Sequence, residues 1–287
     1  MASLILELFL NGFTLGIIFS FVALGLSLIA GLLRILNLLH AAMFTLGTYI
    51  GVVTFNATGS FILAMTASCL VGAAISLIIE LVFIRRVYRD PDASLILTFA
   101  LLLAFTEIIK LIWGSSPLRA IIPEYLSGYV LIGETPLSIY RLTVVGIGIL
   151  VLSGIWLLLK KTNLGLITWA VLDNREMVEA FGIKSSNTLT IVFVLGSGVA
   201  SLAGQLGSPL FGVNPDVGLD ILLFSLIAVV AGGMGNIVGT VVISIAMGII
   251  IAFVTSVNPA LPYVVIYALM ITGVLIKPEG LFARGTR

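Results

Sequence analysis

Long apolar runs separated by short polar segments constrain the fold of this chain more than any other feature of its sequence. A helix that crosses the hydrocarbon layer of a membrane needs about 20 mostly apolar residues. Runs near this length lie at residues 8–33, 37–55, 61–84, 94–113, 139–159, 188–207, 219–232, 236–257 and 261–276. Because only 9% of the 287 residues are charged, these runs predict membrane helices rather than core helices of a soluble domain. We therefore predict an all-α, polytopic membrane helix bundle of about 8–10 transmembrane or re-entrant helices, in a single domain.

The run at 219–232 is too short to cross a membrane comfortably, and helix-breaking residues precede it. The preceding segment, GSPLFGVNPDVGLD, contains Pro209, Pro215 and three glycines, and we expect that it does not continue a regular helix. Where the backbone leaves helical geometry at membrane depth, its free N–H and C=O groups must form hydrogen bonds with protein or with water in a cavity. Residues 207–232 are thus predicted to form a broken or re-entrant segment, whose first part either lines a pathway or is a plain outer loop.

The basic residues predict an orientation, because cytoplasmic loops of membrane proteins are enriched in lysine and arginine. One side of the predicted topology carries Arg34, Arg85, Arg86, Arg89, Lys160, Lys161, Arg175, Lys184, Lys277, Arg284 and Arg287. This side, with the loop at about 160–187, is predicted to be cytoplasmic. The loop at about 114–138 is then external, and its prolines and glycines predict little regular structure. The amino terminus is expected outside and the carboxyl terminus inside.

Composition excludes several classes of function. The net charge is +1 and the basic residues are scattered in loops, so the chain lacks the basic face that nucleic acid requires. One cysteine and one histidine give no metal-ligand cluster. The sequence has no phosphate loop of the Walker type, so we expect neither ATP nor another cofactor on this chain. It also lacks a complete catalytic set, so an enzyme is not expected.

A polar stretch, AVLDNREMVEAFGIKSSN at 170–187, interrupts the apolar second half of the chain. Asp173 and Glu176 have the spacing of a capping box at a helix start, and Gly182 suits a helix stop. The short helix between them would be amphipathic. Its apolar face would consist of Met177, Ala180 and Phe181, and its charged residues elsewhere would be Arg175, Glu176 and Glu179. Such a helix is too short to be stable alone. It either docks on a partner or lies back on its own bundle or on lipid headgroups.

Two rows of small residues predict close helix contacts, since small side chains let membrane helices approach. They recur at every fourth position and comprise Gly196, Ala200, Gly204, Ser208 and Gly212, and Thr240, Ser244, Gly248, Ala252 and Ser256. These rows form contacts within the bundle or with another subunit or a pore. In another predicted helix, Glu107 and Lys110 are three residues apart and are expected to pair, as a functional intramembrane ion pair or as a snorkelling structural pair.

Several motifs together resemble the permease subunit of the branched-chain amino acid ABC importers. They are RILNLLHAAMFTLGTYIG at 34–51, AVLDNREMVEAFGI at 170–183, GSPLFGVNPDVGLD at 207–220, VVAGGMGNIVGTVV at 229–242 and IKPEGLF at 276–282. Their common order over most of the chain makes the resemblance specific. One departure is at Ala41 and Ala42, where the family commonly has Gly-Glu.

The resemblance implies an ATP-driven importer in the cytoplasmic membrane of a prokaryote. The expected partners are two ATP-binding subunits that carry ATP and Mg²⁺, a second and different permease chain, and an external substrate-binding protein. The expected substrate is a small amino acid, branched-chain by resemblance. The alternative is an importer or passive channel for urea, short amides or another small neutral solute. In a passive channel the polar stretch would be merely a loop.

The resemblance also assigns residues. It implies that the stretch from Asp173 to Ile183 is the coupling helix, with its charged residues at the rim and its apolar residues in a groove of the ATPase. The implied coupling set is Asp173, Arg175, Glu176, Met177, Glu179, Ala180, Phe181 and Gly182. The implied translocation-path set is Asn37, His40, Gly47, Tyr49, Gly212, Asn214, Pro215, Gly232 and Gly233. Asn37 and His40 are expected to hold a broken helix rather than to carry protons, and the glycines near 232 form a tight turn or a close crossing.

Overall fold

A computed structural model describes residues 2–33, 36–88, 90–133, 135–277 and 280–282 of the protein. In this part of the chain the α-helices are α1 (Ala2–Leu33), α2 (Leu39–Thr58), α3 (Phe61–Val82), α4 (Pro91–Trp113), α5 (Ile139–Lys161), α6 (Asn163–Ala180), α7 (Ser185–Phe211), α8 (Val217–Gly232), α9 (Ile237–Val257) and α10 (Pro262–Ile276). Short 3₁₀ helices lie at Ile84–Val87 and Glu124–Leu126. The predicted helix bundle is confirmed.

Most predicted apolar runs coincide with helices, and local signals fix several of their ends. Ser60 accepts a hydrogen bond from the Leu63 amide at the start of α3, and Asp90 accepts one from the Ala93 amide at the start of α4. The helices long and apolar enough to cross a membrane are at Ser3–Leu32, Phe61–Val82, Pro91–Trp113, Ile139–Lys161, Ser185–Phe211 and Ile237–Val257. The shorter α8 and α10 are also apolar.

Helices α1 and α7 form the centre of the bundle. In their most apolar windows, 89% of the α1 residues and 78% of the α7 residues are buried, against 22% in α4 and 17% in α5. The last two helices therefore present most of their apolar side chains outward. An outward apolar surface on a membrane helix contacts lipid or another apolar subunit rather than water.

The predicted rows of small residues pack inside the bundle. At Gly196 of α7, an added Cβ would lie 2.8 Å from the Cα of Gly25 in α1, and at Gly204 it would overlap the backbone oxygen of Phe44 in α2. Gly248 of α9 meets the backbone of Gly12 and Gly16 of α1 in the same way. The interpretation as helix contacts within the bundle is therefore the one that the structure supports at these positions.

The bundle has two ends, which we name from their loops. The basic end carries Arg85, Lys160, Lys161 and Lys184, and the hairpin end carries the two strands described below. At the basic end, the Gly235 amide donates to Ser27 at 3.1 Å and the Leu281 amide donates to Ala231 at 2.8 Å. These contacts bring the end of α1, the turn between α8 and α9, and residues 280–282 together. The amino-terminal turns of α1 lie at the opposite end, because Glu7 shares a cavity with Tyr129. The amino-terminal turns of α1 and residues 280–282 therefore lie at opposite ends of the bundle.

The hairpin end contains regular structure that the sequence pattern does not predict. Strands β1 (Tyr129–Ile132) and β2 (Thr135–Ser138) pair in antiparallel fashion, although little regular structure was predicted for this loop. Gly133 between them has φ +64°, a conformation that favours glycine in a tight hairpin.

At the hairpin end Lys110 pairs with Glu107 at 2.9 Å, as predicted, and approaches Asp216 at 3.7 Å. The Glu107 side chain is 67% exposed, which favours a structural snorkelling pair.

Helix α7 continues through Pro209, so the prediction that the helix ends before this proline is wrong. Pro209 has no N–H group for the carbonyl of Gln205 four residues earlier. The Ser208 hydroxyl donates to that carbonyl instead, at 2.9 Å. The helix then ends at Phe211, two residues beyond the proline. A neighbouring hydroxyl thus compensates for the missing backbone donor.

Candidate functional site

The candidate site is built on α6, which consists of two arms joined at Asn174. Asn174 has extended backbone angles, φ −153° and ψ 97°. Its side-chain oxygen accepts a hydrogen bond from the Met177 amide at 3.0 Å, which makes Asn174 the N-cap of the second arm. The prediction that Asp173 caps this helix is wrong. The two neighbouring side chains have similar capping propensities, and only the backbone at Asn174 leaves helical geometry.

The second arm ends as predicted at a glycine. Gly182 has φ +81°, and its amide donates to the carbonyl of Glu179 at 3.0 Å. The Ile183 amide donates to Val178 at 3.3 Å. Glycine adopts this left-handed conformation without the steric cost of a Cβ. The chain therefore turns sharply here and starts α7 at Ser185.

An apolar surface projects from the second arm. Met177 is 55% exposed, Phe181 is 78% exposed and Ile183 is 40% exposed, whereas Val178 between them is only 6% exposed. Ala180 is also exposed. Val178 anchors the arm to the bundle and leaves the neighbouring apolar side chains outside it. We call Met177, Ala180, Phe181 and Ile183 the apolar knob. Exposed apolar patches of this kind mark interaction surfaces.

The charged side of the arm is tied to α7. The Arg175 Nε atom donates to Glu179 Oε1 at 3.0 Å and to Ser185 Oγ at 3.0 Å. The Ser185 hydroxyl in turn donates to Glu179, and Ser185 is only 1% exposed. Of the predicted rim residues, Arg175 and Glu179 thus bond within the chain, while Asp173 and Glu176 are exposed. This brace couples the orientation of the knob to the first turn of α7.

A second loop reaches the same turn of α7, a contact that no sequence pattern predicts. The Nη2 atom of Arg85, in the α3–α4 loop, donates to Ser186 Oγ at 3.1 Å and to Asn187 Oδ1 at 3.2 Å. Nearby, the hydroxyl of Tyr88 donates to the buried carboxylate of Glu80. Burial and this carboxylate raise the pKa of Tyr88. The base of α7 is therefore fixed from two sides.

Asn37 and His40, predicted near a translocation path, hold the start of α2 inside the bundle. Asn37 accepts a hydrogen bond from the Leu39 amide at 3.1 Å, and its Nδ2 atom lies 3.1 Å from Nδ1 of His40. His40 is fully buried between Gly25 and Gly196, and its Nε2 atom has no hydrogen-bond partner within the described part of the chain. Helix α2 therefore begins inside the bundle rather than at its basic end.

Gly47 and Tyr49 lie on α2 further toward the hairpin end. A Cβ at Gly47 would overlap the backbone of Ser201 in α7. Tyr49 is fully buried, and its ring lies 5.2 Å from that of Trp113. Both residues pack helices in this conformation.

The remaining predicted path residues lie in turns at the two ends. Gly212 ends α7 with φ +79°, and Asn214 accepts a hydrogen bond from the Asp216 amide at 3.1 Å. Pro215 is buried beside them, and Val213 pairs with Leu118 of the hairpin-end loop. Gly212, Asn214 and Pro215 thus form a turn at the hairpin end. Gly232 and Gly233 form a tight turn at the basic end, where the Cα of Gly233 lies against Gly280.

A substitution at the N-cap tests the two-arm geometry. Asn174→Ala removes the side chain that caps the second arm and is expected to destabilise it by about 1 kcal/mol. Amide hydrogen exchange at residues 175–180 should then accelerate about fivefold. Asp173→Ala is the matched control and should leave exchange unchanged. Faster exchange in Asp173→Ala alone would contradict the assignment of Asn174 as the cap.

Comparison with known proteins gives a consistent result over almost the whole chain. Residues 8–274 match the protein family described as the permease component of branched-chain amino acid transport systems. The high-affinity branched-chain amino acid transport system permease protein BraD of Pseudomonas aeruginosa is 25% identical, over 97% of this chain and 96% of its own. The corresponding LivH protein of Escherichia coli strain K12 is 23% identical, also over 97% of this chain and 96% of its own.

A more distant organism provides a third relative. The probable branched-chain amino acid transport permease protein LivH of Methanocaldococcus jannaschii is 25% identical over 90% of this chain and 86% of its own. No solved structure matches the chain significantly.

Proposed function

Because the chain belongs to the family of permease components of branched-chain amino acid transport systems, we propose that it is the membrane-spanning subunit of an ATP-driven importer of branched-chain amino acids. ATP and Mg²⁺ bind to two separate ATPase subunits, and this chain supplies the membrane helices and a docking surface for the ATPases. The relatives named above are all branched-chain amino acid permeases, which supports this substrate over urea or short amides.

The observation that carries the proposal is the apolar knob braced to α7. Phe181 and Met177 project from a polar loop at the basic end, where an amphipathic helix fits a groove of a partner protein. The Arg175–Glu179–Ser185 brace joins this helix to the first turn of α7. A movement imposed on the knob is therefore imposed on a central helix of the bundle.

We further propose the orientation and the assembly. The basic end carries Arg85, Lys160, Lys161 and Lys184 and faces the cytoplasm, in agreement with the positive-inside rule. The amino terminus is then outside and the carboxyl terminus inside the cytoplasmic membrane. A second, homologous permease chain covers part of the outward apolar surface, and an external binding protein delivers substrate at the hairpin end.

Transport follows from a population shift between two helix arrangements. Nucleotide binding closes the ATPases and favours one arrangement through the knob, and hydrolysis with product release restores the other. The membrane interior of this chain offers few charged side chains, so a solute with an apolar side chain crosses at lower cost than a polyanion.

Uptake by the complete assembly tests the function. The chain is reconstituted in proteoliposomes with its companion permease, ATPases and binding protein, and uptake of labelled leucine, isoleucine and valine is followed. We expect accumulation that requires ATP and that an excess of urea or acetamide does not inhibit. Uptake of urea by the permease chain alone, without ATPases, would instead establish a passive channel.

A further inference from the structure

A polar cavity lies at the hairpin end, between elements that the coupling site does not use. Its volume is about 270 Å³, the space of about nine water molecules at about 30 Å³ each. Its walls come from the first turns of α1, the hairpin, the start of α5 and the last turn of α7. The cavity is therefore of a size for a small solute rather than for a peptide or a whole lipid.

Two opposite charges face this cavity. Glu7 of α1 and Arg141 of α5 both line it, and both side chains are half-buried. Within the described part of the chain, neither takes part in a salt bridge or a side-chain hydrogen bond. Glu7 attracts Arg141 electrostatically without contacting it, so this attraction offsets only part of the desolvation cost of two half-buried charges. A ligand that carries both charges on neighbouring atoms would satisfy both side chains together.

Other wall residues complete the chemistry. Asn11 and Ser138 add polar groups, while Val145 and Leu210 provide apolar surface. Two further polar side chains in the wall are already used, since Thr14 donates to Leu10 at 2.8 Å and Tyr140 donates to Leu206 at 2.7 Å. The cavity thus combines one cation, one anion and an apolar wall around a small volume.

We propose that this cavity binds a zwitterionic α-amino acid with an apolar side chain as it enters the permease. The guanidinium of Arg141 pairs with the α-carboxylate, for which its planar fork is suited. The carboxylate of Glu7 accepts hydrogen bonds from the α-ammonium group, and Val145 and Leu210 contact the side chain. This assignment rests on the proposed function and adds to it a named entry site for substrate.

The position of the cavity links it to the coupling site. Helix α7 starts at Ser185 in the brace and contributes Pro209 and Leu210 to the cavity wall. Its 27 residues span about 40 Å at about 1.5 Å per residue. A displacement of the base of α7 by the ATPases therefore reaches the wall of the entry site along one continuous helix.

Uptake by charge variants tests the entry site. In proteoliposomes with the complete assembly and saturating binding protein, we expect Arg141→Met and Glu7→Gln each to lower leucine uptake at least about tenfold. Arg119→Met, an exposed arginine in the loop at the same end, is the matched control and should transport normally. Co-purification with the ATPases should be unchanged in all three. Normal uptake by both cavity variants would overturn the entry site while leaving the importer intact, whereas absence of uptake by the unaltered assembly would overturn both.

Protection from labelling tests occupancy even if a charge variant fails to fold. Asn11→Cys is introduced together with Cys69→Ser, and the assembly is treated with a charged methanethiosulfonate. We expect leucine to slow labelling severalfold, and leucinamide or 4-methylpentanoate, each lacking one of the two charges, to have no effect. Equal labelling with and without leucine would overturn the proposal. Labelling that depends instead on phosphatidylethanolamine in the vesicles would assign the cavity to a lipid headgroup and overturn it as well.

Discussion

Replacement of Phe181 by aspartate is expected to abolish binding of the ATPase subunits and to lower ATP-driven uptake at least about 100-fold. Phe181 is 78% exposed, against 55% for Met177 and 40% for Ile183 in the same apolar knob. Aromatic anchors that become buried in interfaces contribute about 2 kcal/mol or more each. Aspartate would remove the anchor and bring an unpaired carboxylate into the groove, which adds a desolvation cost of several kcal/mol. Co-purification of the ATPases with the tagged permease measures the effect.

A matched control separates docking from general damage to the protein. Tyr125 is an aromatic residue at the hairpin end with a similar exposure of 65%, and Tyr125→Asp should retain ATPase binding. Both variants are expected to remain monodisperse in detergent, because neither side chain packs in the core. Retention of the ATPases by Phe181→Asp, at the level of Tyr125→Asp, would show that the knob is not the docking surface.

Replacement of Gly204 by leucine is expected to prevent assembly of the bundle. A Cβ at this position would overlap the backbone oxygen of Phe44 and lie 2.9 Å from the Thr48 amide nitrogen. Backbone atoms of α2 cannot yield locally, so α2 and α7 must separate. The cost should exceed the range of about 1–3 kcal/mol for ordinary overpacking. Size-exclusion chromatography and thermal unfolding in detergent measure the loss.

The same substitution at an open glycine provides the comparison for Gly204. Gly146 lies in α5, where an added Cβ meets no atom within 4 Å in the described structure. Gly146→Leu should therefore yield protein with near-normal thermal stability. If Gly204→Leu proved as stable as Gly146→Leu, the close α2–α7 contact would be incorrect.

The membrane helices were predictable because their signal is local. Each of α3, α4, α5 and α9 is a run of apolar residues whose length matches the membrane. The hairpin was missed because strands of four residues have too few positions for a periodic pattern to emerge beside long apolar runs. The continuation of α7 through Pro209 depends on one hydroxyl, that of Ser208. Composition alone does not report such a compensation.

The candidate site was predictable in part. The apolar face with Met177 and Phe181 follows from helical spacing, and Gly182 follows from the conformational freedom of glycine. The brace through Ser185 and the contact between Arg85 and Asn187 are tertiary, the latter joining residues 102 positions apart. The placement of Glu7 and Arg141 around one cavity likewise requires the folded arrangement of α1 and α5. Single-sequence patterns do not determine contacts at these separations.

Photo-cross-linking from the knob tests the central claim most directly. Benzoylphenylalanine replaces Phe181 in the assembled transporter, with the same replacement at Tyr125 as a control, and irradiation products are identified by mass spectrometry. The docking account predicts an adduct between position 181 and an ATPase subunit, and none from position 125. Adducts from position 181 only with lipid or with this chain would contradict it and assign the second arm of α6 to the membrane surface or to the bundle itself.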